Sequence, residues 1–182
     1  MIRLFVGLSV PEDIAVRLAA LANGMVGARW VEPKNMHVTL RFIGDVNEAD
    51  AEDIHHELAR LTAMPFKYQI GGFDTFGQGR KAHALFAGVP PTPELELLQS
   101  RTEASVVRAG QQREPRKFKP HVTIARLKSP PADQLQMFIE ANNLWRAGPV
   151  LVDHFILYES CMGNGGSAYF PLAEYPLGPE RL

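Results

Sequence analysis

The sequence predicts an α+β fold: two similar lobes, each an antiparallel β-sheet flanked by helices, arranged about a local two-fold axis with a central cleft between them. Three observations predict it. The strand patterns alternate apolar and polar residues, which suits antiparallel sheets packed on one face and more polar on the other. Amphipathic helical stretches separate them. The order strand, helix, strand bearing HVT, helix, strand also occurs twice, with His37 matched 84 residues later by His121. The chain of 182 residues is therefore read as a single domain, 1–182, made of two pseudo-symmetric lobes. The first H-x-T motif stands at 37–39 and the second at 121–123.

Taken in order, Arg3 to Val10 is a strand. PEDIAVRLAALANGM follows as a helix, with proline and acids at its start and Gly24 near its end. HVTLRFI is a strand and NEADAEDIHHELARL an amphipathic helix. Residues 66–76 and 82–89 are two strands around the turn-rich GQGRK, and TPELELLQSRTEASVVRAG is the third helix. A basic connector, QQREPRKFKP, leads into the strand HVTIARL and a fourth helix, PADQLQMFIEANN. VLVDHFILYES and SAYFPLAEY close the chain as strands around the glycine-rich GNGGS. Besides HVTL and HVTI, the repeat pairs LFVG at 4–7 with LFAG at 85–88, and FKYQI at 66–70 with VLVDH at 150–154.

Composition narrows the function classes. Net charge is −1, so any recognition of an anionic polymer must be local. The single cysteine, Cys161, excludes an internal disulfide framework and a cysteine zinc cluster, and favours a reducing, cytoplasmic setting. MIRLFVGLSVPED is too short for a membrane span and lacks a signal-peptide cleavage pattern. There is no H-E-x-x-H, C-x-x-C or spaced carboxylate cluster, so no metal and no cofactor are expected. G-x-S-x-G is absent, and GNGGS opens no helix, so it is a hairpin loop rather than a dinucleotide fingerprint.

The chemistry lies in the two motif strands. Side chains at i and i+2 of a strand share a face, so His37 and Thr39 point one way while Val38 and Leu40 point the other. His121 and Thr123 repeat the pattern against Val122 and Ile124. One such tetrapeptide is weak evidence. Two copies at matching places in a repeat bring two imidazoles and two hydroxyls to one small volume. A neutral imidazole can take a proton from water while a protonated one gives a proton to a leaving oxygen. Threonine hydroxyls can donate to oxygens that gain negative charge. That set suits phosphodiester cleavage better than acyl transfer.

With these motifs in hand, the chain resembles the two-histidine (2H) phosphoesterases, and among them the RNA 2′,3′-cyclic phosphodiesterases, also called 2′-5′ RNA ligases. RLFVGLSVPEDI, WVEPKNMHVTLRFIGDV, FDTFGQGRKAHALFAGV, FKPHVTIAR and FILYES carry the resemblance over nearly the whole chain. It implies a bilobal fold with both motifs lining the cleft. It also implies metal-independent opening of a terminal 2′,3′-cyclic phosphate on RNA to a 2′-phosphate. The catalytic set it implies is His37, Thr39, His121 and Thr123, with His121 as proton acceptor and His37 as proton donor. Pseudo-symmetry leaves those two roles interchangeable at this level. The partners implied are RNA ends with a cyclic phosphate, tRNA fragments among them; no membrane partner and a monomeric protein are expected.

Further substrate-binding candidates are Arg126, Arg41, Phe118 and Lys119. Arg41 has the parity of His37, whereas Arg126 reaches the cleft only if the strand ends or bulges after Ile124. Phe118 and Lys119 belong to the basic REPRKFK stretch, whose cations beside an aromatic suit a single-stranded RNA end. His83 and His154 are expected to be structural, and His55 and His56 to sit at a helix surface. Two other functions stay open: reversible 2′-5′ joining of RNA halves, and non-catalytic binding of RNA ends.

Overall fold

The computed structural model describes residues 1–179. Strand β1 (Ile2–Ser9) leads into helix α1 (Glu12–Ala19), short strand β2 (Ala28–Trp30), β3 (His37–Val46) and α2 (Glu48–Ala59). Then come β4 (Phe66–Gly71), β5 (Phe73–Phe76), β6 (Ala84–Gly88) and α3 (Pro93–Arg108). The chain continues with β7 (His121–Leu127), α4 (Ala132–Asn142), β8 (Arg146–Val152), β9 (His154–Gly163) and β10 (Gly166–Pro176). The α+β class expected from the sequence holds, and the four helices fall where their patterns put them. Local chemistry explains two starts: Asn47 accepts the Asp50 amide to cap α2, and Thr92 accepts the Leu95 amide ahead of Pro93 in α3.

Strands β10-β9-β1-β3 form one antiparallel set, and β7-β6-β5 form a second with β2 on the far end of β7. The two sets meet at one residue pair, Val38 opposite Val122. A separate ribbon pairs β4 with β8. Residues expected to form single strands are split. Gly72, at φ +78, separates β4 from β5, and Asp153 lies between β8 and β9, which belong to different sheets. At three residues, β2 is too short to show periodicity, and its pairing with β7 supplies what its pattern cannot.

The registers are reciprocal. Val38 pairs with its own repeat partner Val122, and in the ribbon Phe66 pairs with Val152 while Tyr68 pairs with Val150. We infer from this that the two halves are lobes related by a local two-fold axis running through the seam and the ribbon. One pairing within the repeat needs correction. Thr39 lies opposite Gly7 and Thr123 opposite Phe86, so Gly7 corresponds to Phe86 and not to Gly88. The LFVG and LFAG match is thus two residues out of register. A slip of two keeps every side chain on its face, so the parity of the pattern could not detect it.

One contiguous apolar core runs between the sheet and the helices, through Leu4, Val38, Leu58, Leu95, Val122 and Phe155 among others. A second, smaller cluster of Phe5, Ile156 and Tyr158, backed by Tyr169, forms separately beside the first motif.

Candidate active site

A cavity of about 680 Å³ is lined by His37, Thr39, His121, Thr123, Arg126, Phe118 and Lys119, with Arg41 at its margin. The sheet seam brings the two H-x-T strands side by side, which is why residues 84 positions apart share this volume.

Both histidines are held in the same way. Nδ1 of His37 donates to the Asn35 carbonyl at 2.8 Å, and Nδ1 of His121 donates to the Lys119 carbonyl at 2.6 Å. A carbonyl can only accept, so Nδ1 keeps its proton and the exchangeable position is Nε2. Nε2 of His37 lies 3.0 Å from Thr39 Oγ1. Aromatic rings fix the imidazole planes. Phe5 and Tyr169 flank His37 at 4.7 and 4.9 Å, and Phe76 and Phe86 flank His121 at 4.8 and 5.1 Å.

This packing costs the cations their hydration. Burial pushes His37 down to about 4, against the Asn35 hydrogen bond and with the charges of His121 and Arg126 adding to the depression. Burial also lowers His121, with Arg126 and Lys119 contributing and the Lys119 carbonyl opposing.

Two matching bulges decide which arginine faces the cleft. In β1–β3 the register runs from Val6 opposite Arg41 to Gly7 opposite Thr39, leaving Leu40 extra. In β6–β7 it runs from Leu85 opposite Ala125 to Phe86 opposite Thr123, leaving Ile124 extra. A bulge inverts the parity beyond it. Arg126 therefore joins the face of His121 and Thr123, and Phe42 takes the corresponding place beyond His37.

Arg41 is turned away by the same bulge, contrary to its expected role in substrate binding. It is only 7% exposed, and its guanidinium is committed to Glu103 and to the carbonyls of Phe42 and Gln112. Glu103 also accepts the Glu114 amide at 2.9 Å, so the pair fastens the basic connector. Arg116, bonded to Glu114 at 2.9 Å, holds that carboxyl down at about 2.

Lys119 sits above the Phe76 and Phe86 rings, with Nζ 5.5 and 5.2 Å from their centroids. Phe118 is half-buried, packed against the main core with its remaining surface on the cleft. His83 corrects another expectation. It is exposed, lies just before β6, stacks on Phe76 at 6.1 Å and lines the cleft. The sequence reading also missed Tyr169, Phe76, Asn35 and Phe42. Only Phe42 carried a usable signal, since it lies 84 residues before Arg126. Among the described residues no three His, Cys, Asp or Glu side chains form a metal-binding group, and no helix is long and apolar enough to cross a membrane.

A family model described as the 2′-5′ RNA ligase superfamily matches residues 10–161. An RNA 2′,3′-cyclic phosphodiesterase of Bacillus subtilis is 32% identical over 127 residues, covering 67% of this chain and 69% of that protein. The protein of the same name from Thermotoga maritima is 30% identical over 178 residues, 94% of each chain. Among solved structures, a protein of Thermus thermophilus superposes with a TM-score of 0.72 at 26% identity, covering 96% of this chain and 97% of its own. Escherichia coli LigT complexed with 3′-AMP gives a TM-score of 0.77 at 24% identity, covering 98% of this chain and 99% of its own. At that identity the LigT likeness concerns the fold.

Proposed function

The chain belongs to the 2′-5′ RNA ligase superfamily, and from that premise we propose that it hydrolyses the 2′,3′-cyclic phosphate at RNA ends to a 2′-phosphate. The observation that carries the reading is the pair of imidazoles, each with Nδ1 tied to a carbonyl two residues earlier and Nε2 left for exchange, in one cavity. His121 accepts a proton from water as its oxygen bonds to phosphorus. The bond from phosphorus to the ribose 3′-oxygen breaks, and His37 gives that oxygen its proton. Thr39, Thr123 and Arg126 donate to the non-bridging oxygens, where charge accumulates. Lys119 and Phe118 contact the RNA end.

His37 at about 4 is deprotonated in the empty cleft at neutral pH. The negative phosphate must raise it before it can act as an acid. No metal is needed in this scheme, because the imidazoles supply both proton transfers and cationic and hydroxyl donors meet the phosphate. We further propose that the protein works as a cytoplasmic monomer and that its substrates include tRNA fragments.

The test is an oligoribonucleotide ending in a 2′,3′-cyclic phosphate, incubated with the protein in EDTA. A 2′-phosphate end is expected. A 3′-phosphate end, or loss of turnover with the chelator, would overturn the mechanism. Joining of RNA halves is the same attack with the 5′-hydroxyl of a second RNA in place of water, its oxygen bonding to phosphorus as the bond to the 3′-oxygen breaks, and the description of the family model favours keeping it in view. The product ends formed with and without a second RNA bearing a 5′-hydroxyl separate the two.

A further inference from the structure

We propose that a second cavity, continuous with the catalytic cleft, is a subsite for the internucleotide phosphate on the 5′ side of the terminal nucleotide. The proposal rests on the cyclic phosphodiesterase reading and extends it to how far the enzyme grips its RNA. The cavity holds about 290 Å³ and lies between β2 and the β9–β10 hairpin. Asn35, Tyr169 and Arg126 line both cavities, so a ligand longer than one nucleotide can pass from one to the other.

Its distinguishing feature is a pair of like charges. Arg29 of β2 lies directly opposite Arg126 of β7 in the antiparallel register, and both side chains line this cavity. Like charges in directly opposed positions destabilise a sheet. Neither guanidinium has a carboxylate partner among the described residues. Glu32, the acid on the cavity wall, is paired with Lys34 at 3.0 Å. An anion between the two arginines would convert the repulsion into two charge-assisted hydrogen bonds.

Arg29 is also held in place. It donates to the Gly165 carbonyl, and a β-carbon at Gly166 would come within 2.7 Å of its Nη2. The hairpin thus packs against the guanidinium and holds it on the cavity wall. Arg126 faces the cyclic phosphate on one side and Arg29 on the other. The next phosphate along a single strand is the group of matching charge at the matching side. Tyr169 on the wall gives its nucleoside a stacking surface.

The experiment compares adenosine 2′,3′-cyclic phosphate, which lacks that phosphate, with the adenylyl dinucleotide ending in the same cyclic group. Wild type should prefer the dinucleotide. Arg29→Gln should lower kcat/KM on the dinucleotide by about ten-fold, the loss of one charge-assisted bond, mainly through KM. It should leave the mononucleotide within about two-fold. Because it removes one of two facing like charges, its Tm should not fall, and Arg29→Lys should keep most of the preference. An equal loss on both substrates, or no loss on the dinucleotide, would overturn the subsite alone, provided wild type turns over both. If wild type hydrolyses neither, the phosphodiesterase reading falls and the subsite with it.

Discussion

The Lys119 carbonyl stands 2.6 Å from Nδ1 of His121, and the Asn35 carbonyl holds the same relation to His37 at 2.8 Å. In both cases the backbone just before the strand chooses the tautomer. His37→Ala and His121→Ala should each lower kcat by at least about 10²-fold, the usual contribution of a positioned acid or base. Circular dichroism should stay native. Turnover near the wild-type rate in either variant would rule out the two-histidine scheme.

The pH dependence follows from burial. A donor must carry its proton, and His37 in the empty cleft holds it only below about 4. Rising pH therefore removes the donor early. The kcat/KM profile, which reports the free enzyme, should fall on its alkaline side below the ordinary histidine value of about 6.5. The kcat profile should extend further, because bound phosphate raises both imidazoles. Steady-state rates across the acidic and neutral range test this. An alkaline limb of kcat/KM at or above the ordinary value would exclude His37 as a donor depressed by burial.

Arg126 and Arg41 should respond oppositely. Arg126 is exposed on the cleft, so Arg126→Gln should lower kcat/KM by about ten-fold or more with little change in Tm. Arg41→Met would leave the largely but not fully buried Glu103 without its partner, at a cost of about 3 kcal/mol measured by denaturant unfolding. Pairing it with Glu103→Leu should restore much of that stability. If Arg41→Met proves as stable as wild type, the connector is not fastened by this pair.

Gly7 is a packing constraint. A β-carbon there would meet the Val38 carbonyl oxygen at 2.8 Å, against the strand that carries the first motif. Gly7→Ala should lower stability by about 1–3 kcal/mol, the range for overpacking, and reduce kcat with it. Unchanged Tm and kcat would show that β1 yields without disturbing His37.

Much of this was legible in the sequence because it rests on periodicity. The four helices, the two motif strands and the choice of His37, Thr39, His121 and Thr123 need only the repeats of two and 3.6 residues and a second copy. What was illegible rests on breaks in periodicity. A bulge at Leu40 reads as an ordinary apolar position, so Arg41 was assigned to the cleft and Phe42 was overlooked. Tyr169 and Phe76 reach the cleft through the β9–β10 and β5–β6 pairings, which no local pattern announces.

The two bulges have a consequence for direction. If the halves were identical, a substrate would meet the same groups in either orientation, and half of all encounters would present it backwards. Beyond the paired histidines the equivalent positions hold Phe42, 44% exposed, and Arg126. On the proposed mechanism, one end of the cleft would offer a ring to a nucleobase and the other a cation to an anion. Two matching histidines would thereby gain a front and a back, and the single difference at one shared position would orient an RNA end.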